Sequence, residues 1–199
     1  MGHEATKAAN RRVNEPIFAE SYIVGHGIDI GAGNDQLQNF DGLSRHKDKF
    51  PKMLSCKNWD TPDGDAQLMQ SVADSTYDFV HSAHTYEHMH NPIEALKNWI
   101  RILKPGGHLI VTIPDEDLYE QGIFPSRFNG DHKVTFTIYK NKSWSPVSYN
   151  IIDILSSISN IKIKKIQLQE HHYDYSLNGK DQTGGPAECA IEFVVQKVK

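Results

Sequence analysis

The chain has 199 residues, of which 38% are hydrophobic and 23% charged. This composition is typical of a soluble globular domain and excludes a disordered chain. The net charge of −4 gives no basic excess, so no nucleic-acid partner is expected. No apolar run reaches the ~20 residues of a membrane span, and the N-terminus lacks the apolar core of a secretory signal. Two distant cysteines, Cys56 and Cys189, favour a reducing cytoplasm over a disulfide framework.

The N-terminal third contains one predicted strand followed by a glycine turn. Residues 1–16 are polar and predicted to be helical or irregular, ending at Pro16. In "SYIVGHGIDIGAGND" (21–35), the apolar residues 23, 24, 28 and 30 predict a short strand, and Gly31-Ala32-Gly33 a turn at its end. Residues 36–53 are rich in breakers and predict mostly loop, with a short strand over 53–56.

The middle of the chain alternates helical and strand patterns. "DAQLMQSVAD" (65–74) has apolar residues at helical spacing and predicts a helix, and "YDFVHS" (77–82) predicts a strand. The strongest helix prediction is "NPIEALKNWIRIL" (91–103), where Asn91 is the N-cap and Pro92 the first helical residue. "KPGG" follows, with Pro105 and Gly106 suited to a type II turn.

The C-terminal half is predicted to complete a layered sheet. Strands are indicated at 108–114, 133–139, 161–169 and 187–198, and a helix at 145–159. Strands that alternate with helices imply crossover connections and a mostly parallel sheet. The last two strands have no helix between them and predict an antiparallel hairpin around a polar loop, 170–187. The fold class is therefore α/β, a mostly parallel seven-stranded sheet flanked by helices.

The glycine turn places backbone without side chains at the carboxyl edge of the sheet, where such folds bind ligands. It is not a full G-x-G-x-x-G, because Gln36 takes the last position, and no G-K-[ST] follows as in a P-loop. The turn alone is weak evidence for a ligand-binding site, and other segments of the sequence are needed to support it.

Four segments in series add this weight: "GIDIGAGND", "GDAQLM", "YDFVHSAHTYEHMHNP" and "LKPGGHLIVTIPD". Over residues 22–115 the sequence resembles class I S-adenosylmethionine-dependent methyltransferases, in particular the methyltransferase type 11 group. The resemblance implies a Rossmann-like fold, S-adenosyl-L-methionine as cofactor, and a single domain over 1–199. Its parts would be an N-terminal segment (1–20), a cofactor-binding half (21–115) and an acceptor-side half (116–199). Asp35 departs from the family pattern, which has a third glycine there.

The resemblance also implies a set of cofactor-binding residues. They are Asp29, Gly31, Ala32, Gly33, Asp60, Asp65, Ala66, His81 and Ser82. Asp60 is the candidate for the ribose hydroxyls, with Asp48 as the alternative. Asp65 would accept from the adenine amino group, with the Ala66 N–H as a donor to the ring. Asp29 would orient the ammonium, and His81 and Ser82 would lie near the sulfonium. A strand-end cap at Asp29 and a helix N-cap at Asp65 are the alternatives.

The pentapeptide His84-Thr85-Tyr86-Glu87-His88 matches the zinc-peptidase pattern H-x-x-E-H. That chemistry needs the metal-binding residues on one continuous helix. A strand runs directly into this segment and a new helix begins at Asn91, so we expect a strand-end loop beside the cofactor and no metal. For an oxygen acceptor, His84 or His132 is the candidate general base.

The acceptor side is predicted from the polar segment that follows the strand at 108–114. The candidate substrate-binding residues are Tyr86, Tyr119, Arg127 and Asp131. A solvated surface loop is the alternative for this segment, in which "PSRFNGDHK" is similar to family members associated with glycan or secondary pathways. With the N-terminal segment and the 170–187 loop completing the pocket, we expect methylation of a hydroxyl or amine on a small molecule or sugar. A catalytically silent cofactor-binding subunit and a zinc hydrolase using His84, Glu87 and His88 are the alternatives.

Overall fold

The computed structural model describes residues 3–37 and 48–198, which form eight strands and three α-helices. The strands are β1 Gly25–Ile30, β2 Met53–Trp59, β3 Tyr77–Ala83, β4 Leu103–Pro114, β5 Thr135–Thr137, β6 Ser148–Asn150, β7 Ile161–Gln169 and β8 Ala190–Lys197. The helices are α1 Glu4–Arg12, α2 Pro92–Ile102 and α3 Ile151–Ser156. None of these helices could span a membrane.

The main sheet of the described residues has six strands in the order β2-β1-β3-β4-β8-β7. The first four are parallel, while β8 pairs antiparallel with both β4 and β7. In the register, Ile30 lies opposite Trp59 and Ser82, so the carboxyl ends of these strands meet at one edge. The α/β class, the mostly parallel sheet and the C-terminal antiparallel hairpin are thereby confirmed.

The predicted number of seven strands in one sheet is wrong for the described residues. The strand predicted over 133–139 is only β5, and it pairs in parallel with β6 in a separate two-stranded sheet. Both edges of β4 are already paired, with β3 and β8. The side chain of Phe136 instead packs flat against Tyr86, with ring centroids 5.0 Å apart.

Helix α2 forms where its end signals predict it. The Asn91 side chain accepts a hydrogen bond from the Glu94 N–H at 3.1 Å, which satisfies one of the free donors of the first turn. Trp99 and Leu96 are fully buried against the sheet. Alternate residues of the strands pack into two hydrophobic cores. Val80 packs into the core that contains α2, and Phe79 packs into the core that contains Phe18.

Two helix predictions are corrected. Residues 65–74 form turns, with Met69 at a positive φ of 48°. Side chains of α2 donate hydrogen bonds to backbone carbonyl groups that a helix over 65–74 would need for its own hydrogen bonds. The Trp99 Nε1–H donates to the Ala66 carbonyl, and Arg101 donates to the Met69 carbonyl, both at 2.8 Å. The helix predicted over 145–159 shortens to α3, which begins after Asn150 caps the Ile152 N–H.

Candidate active site

A cavity of about 620 Å³ opens at the carboxyl edge of the parallel strands. Its walls come from the glycine turn, the loop after β3, the segment around Tyr119 to His132, the start of α1 and the loop near Thr183. The predicted site residues on its walls are Asp29, Gly31, Ala32, Gly33, His84, Tyr119 and His132. The expectation that the N-terminal segment and the 170–187 loop complete the pocket is confirmed.

The two glycines of the turn are required for different reasons. Gly31 has a φ of +72°, and a Cβ there would lie 1.9 Å from the Thr85 hydroxyl oxygen. Gly33 has a φ of +49°, but a Cβ there would meet nothing within 4 Å. The first glycine therefore permits close packing, and the second gives the chain a left-handed turn that faces open space.

Asp60 holds this turn from the end of the neighbouring strand. Its Oδ2 accepts a hydrogen bond from the Gly33 N–H at 3.0 Å, and its Oδ1 accepts one from Thr61 N–H at 2.8 Å. The side chain is exposed, so lone pairs remain for a ligand. Asp48 instead precedes β2, which begins at Met53. The geometry favours Asp60 over Asp48 as the carboxylate beside the glycine turn.

Asp35, the departure from the family glycine, fastens α1 to the site. Its carboxylate accepts hydrogen bonds from the Thr6 N–H at 2.9 Å and the Thr6 hydroxyl at 2.5 Å. His3, the N-cap of α1, makes no side-chain capping bond. Asp35 therefore supplies the cap from a distant segment, and its charge is favourable at the helix N-terminus. His3 and Glu4 are thereby placed over the cavity.

Asp29 and His81 bind each other. His81 is fully buried, and its Nδ1 lies 2.6 Å from Asp29 Oδ1 while its Nε2 lies 3.0 Å from Arg12 Nη1. The other Asp29 oxygen accepts the Leu37 N–H at 2.8 Å. Both ring nitrogens of His81 therefore face protein, and its place near the sulfonium stays a prediction. The alternative role of Asp29, a structural one at the end of its strand, is present: its carboxylate binds His81 and the Leu37 N–H.

Ser82, Asp65 and Ala66 also make structural contacts away from the cavity wall. Ser82 is fully buried and donates to the Ile30 carbonyl at 3.0 Å, and its place near the sulfonium stays a prediction. Asp65 Oδ1 accepts the N–H groups of residues 67 and 68, so the alternative capping role is present, on a turn rather than a helix. The role of Asp65 and Ala66 toward adenine stays a prediction.

A buried ion-pair network joins α1 to the hairpin. Arg12 is 1% exposed and its Nε donates to Glu192 Oε2 at 2.8 Å. Arg11 donates to both Glu192 oxygens, at 3.0 and 2.9 Å. Burial alone raises the pKa of Glu192, but Arg12, Arg11 and Lys165 together hold it well below its ordinary value. Sequence reasoning missed this network, although a glutamate within the apolar strand "AIEFVV" signals a buried cationic partner.

The histidine segment forms the expected loop. His84 follows β3 with a φ of +53°, and residues Tyr86–His88 form a single 3₁₀ turn. The pentapeptide therefore lacks the continuous helix of a zinc peptidase. Tyr86 does not reach the cavity: it is fully buried, and its hydroxyl donates to the Pro92 carbonyl at 2.6 Å. The predicted substrate contact at Tyr86 is corrected to a core role.

Four ionisable side chains converge on the acceptor side of the cavity. Glu87 Oε1 lies 3.7 Å from His84 Nδ1, 3.7 Å from His132 Nε2 and 3.9 Å from His88 Nε2. Burial raises the pKa of Glu87. Burial, together with the charges of His132, Lys7 and His88, lowers the pKa of His84 to about 3, so His84 is neutral near pH 7.

His132 is the better oriented of the two candidate bases. Its Nδ1 lies 2.7 Å from Glu120 Oε1, and its ring packs at 5.2 Å from the ring of Tyr119. Burial alone would lower the pKa of His132, but the Glu120 hydrogen bond and the charge of Glu87 raise it. Sequence reasoning missed Glu120. It is the last residue of a buried π-helical turn, Glu116–Glu120, which begins after the N-cap Asp115.

The two remaining predicted substrate residues lie outside the cavity wall. Arg127 is exposed, stacks over the Phe128 ring at 4.8 Å and donates to Gln121. Asp131 is exposed and accepts from His88 Nδ1 at 3.0 Å and Lys133 at 2.8 Å. Sequence reasoning missed the wall residue Phe128 beside them, because loop residues carry no periodicity that indicates the direction of a side chain.

The glycine turn fits the adenosyl cofactor that the sequence predicts. Open space lies in front of Gly33, the cavity runs along residues 31–33, and the Asp60 carboxylate stands beside them. A family model described as a methyltransferase domain matches residues 9–159, more than half of the chain. The chain belongs to this family and is a class I S-adenosylmethionine-dependent methyltransferase. The bound cofactor supplies an electrophilic methyl group on its sulfonium.

Solved structures show the same fold. An S-adenosylmethionine-dependent methyltransferase of Thermotoga maritima, described as a possible histamine N-methyltransferase, is 19% identical, with a TM-score of 0.53 over 98% of this chain and 91% of that one. One from Methanosarcina mazei is 14% identical, with a TM-score of 0.53 over 92% and 97%. No curated protein sequence matches the chain. These likenesses show that the chain shares the fold of solved methyltransferases.

Proposed function

We propose that the enzyme methylates a hydroxyl or amine of a small molecule or sugar. The observation that carries this proposal is that one cavity is lined by both the glycine turn and the histidine cluster, with Glu4 and Thr183 also on its walls. Its volume of about 620 Å³ is within the ~300–1,000 Å³ of small-molecule sites, which favours a small acceptor over a macromolecule.

The cofactor side of this proposal rests on the glycine turn and Asp60. Backbone at residues 31–33 would pack against the amino-acid end and the ribose. The Asp60 carboxylate would accept from the ribose hydroxyls, and hydrogen bonds to an ionised acceptor are stronger than neutral ones. Asp29 and His81 would act indirectly, by fixing the strand ends and the Leu37 amide.

The acceptor side rests on His132. With Glu120 at Nδ1, its Nε2 faces the cavity toward Glu87, the arrangement of a base held by a carboxylate. His84, whose pKa is about 3, is a weaker base and suits binding. Tyr119 and Phe128 would supply the apolar wall for the acceptor.

Transfer of a labelled methyl group from S-adenosylmethionine to a panel of small alcohols, amines, sugars and glycosides tests the proposal. We expect labelled product from at least one of these classes, and a loss of about 10²–10⁴-fold in His132→Asn if the acceptor is oxygen. His90→Asn, a change at an exposed histidine of the same loop, is the matched control. Transfer confined to protein or nucleic acid would contradict the proposed acceptor class.

A further inference from the structure

The acceptor side of the cavity brings together a mixed set of metal-ligand atoms. Glu87, His88 and His132 each offer one such atom, all within 4.8 Å of one another. Glu87 Oε1 lies 3.7 Å from His132 Nε2 and 3.9 Å from His88 Nε2. The ligands of a tetrahedral zinc ion stand about 3.4 Å apart, given bonds of about 2.1 Å. At these two pairs, a contraction of a few tenths of an ångström would suffice.

The carboxylate of Glu87 accepts no hydrogen bond from any other described residue, and the only N–H close to it is its own backbone amide. Its side chain is 1% exposed, and neither of its oxygens accepts a hydrogen bond there. A protonated His132 would supply a counter-charge, but its Nε2 lies 3.7 Å from Glu87 Oε1, which is too far for a hydrogen bond. Burying a carboxylate without partners is costly, and a cation between these three side chains removes that cost.

Both histidines are oriented from behind by carboxylates. The Nδ1 of His132 meets Glu120 at 2.7 Å, and the Nδ1 of His88 meets Asp131 at 3.0 Å. An N–H at each Nδ1 leaves the lone pair of each Nε2 for the shared space near Glu87. Histidine ligands of metal ions are held by carboxylates in this way, which fixes the tautomer and the direction of the ring.

We propose that Glu87, His88 and His132 bind one divalent transition-metal ion of the zinc type, with at least one coordination position open to the cavity. Two imidazole nitrogens and one carboxylate oxygen suit zinc and its neighbours better than magnesium or calcium, which prefer oxygen ligands. His84 Nε2, which also has no hydrogen-bond partner among the described residues, lines the same space and is available to a molecule in the open position.

The consequence for catalysis rests on the proposed methyl transfer to a hydroxyl. An acceptor oxygen in the open position would lose its proton to solvent more readily, because the cation lowers the pKa of a bound hydroxyl. An oxygen lone pair then forms the bond to the methyl carbon. The carbon–sulfur bond breaks with its electrons on sulfur, which leaves S-adenosylhomocysteine. In this state the Nε2 of His132 binds the metal ion and does not act as the general base. The cation promotes loss of the acceptor proton by lowering the pKa of the bound hydroxyl.

Cobalt(II) titration of the chelator-treated full chain tests the site, because cobalt bound to nitrogen and oxygen ligands gives a visible absorption band. We expect one equivalent to bind and zinc to displace it. Glu87→Gln and, separately, His88→Asn should weaken cobalt binding at least tenfold, while His90→Asn binds as the wild type does. Glu120→Gln, which acts through His132, should weaken it roughly 10–100-fold.

Absence of the band, or equal cobalt affinity in Glu87→Gln and the wild type, would overturn the metal site. His88→Asn, at a partly exposed residue, decides the matter if Glu87→Gln fails to fold. Calorimetric binding of S-adenosylhomocysteine, measured on the same samples, separates this inference from the proposed function. Failure of the nucleoside to bind, with cobalt binding intact, would reject the function and retain the metal site.

Discussion

Replacing Gly31 by alanine should destabilise the protein more than the same change at Gly33. Both residues have positive φ, which costs a residue with a Cβ about 1–2 kcal/mol. At Gly31 the new methyl group would also lie 1.9 Å from the Thr85 hydroxyl, and overpacking of this kind costs typically ~1–3 kcal/mol. The expected loss is therefore about 2–5 kcal/mol for Gly31→Ala and about 1–2 kcal/mol for Gly33→Ala.

Urea unfolding of both variants and the wild type measures this difference. The midpoint should fall further for Gly31→Ala, with the dependence on urea concentration unchanged, so that the shift reports stability alone. Equal losses in the two variants would refute the packing role of Thr85. A loss at Gly33 larger than that at Gly31 would refute the assignment of open space in front of Gly33.

Three further results are expected. Asp60→Asn should weaken S-adenosylhomocysteine binding about tenfold or more by calorimetry, since charged hydrogen bonds contribute ~1.5–3 kcal/mol; Asp48→Asn should not, and equal effects would reject Asp60 as the ribose carboxylate. Arg12→Met should lower the free energy of unfolding by about 1.5–3 kcal/mol, because it removes one charged hydrogen bond to the buried Glu192 while Arg11 remains in place, whereas exposed Arg127→Met should change it by less than ~0.5 kcal/mol. Burial raises the pKa of Asp115 to about 7, so the folded protein binds the extra proton and the free energy of unfolding should fall as pH rises from about 4 to about 7; Asp115→Asn should flatten this slope, and an unchanged slope would argue against the raised pKa.

Features encoded in short stretches of sequence could be predicted. The strands of the main sheet follow from apolar residues, and α2 follows from its apolar periodicity and from Asn91-Pro92, whereas β6 lies within the predicted helix 145–159. The glycine turn follows from glycines, which adopt left-handed backbone conformations readily. The edge of the sheet that carries the cavity then follows from the parallel topology. These signals lie within a few residues of the elements they specify.

Features that depend on distant partners could not be predicted in the same way. The contact of His81 Nε2 with Arg12, 69 residues away in sequence, has no signal in the strand that carries His81. The prediction of a helix at 65–74 was wrong because α2 side chains such as Trp99 donate hydrogen bonds to the carbonyl groups of this segment. The cluster at Glu87 needed His132, which the H-x-x-E-H pattern does not contain.

A crystal structure with S-adenosylhomocysteine would test the central claim most directly. We predict density along residues 31–33, with the ribose hydroxyls on Asp60 and the sulfur directed toward the space between His84 and His132. Density at another edge of the sheet, or a nucleoside whose sulfur points away from the histidines, would contradict the account.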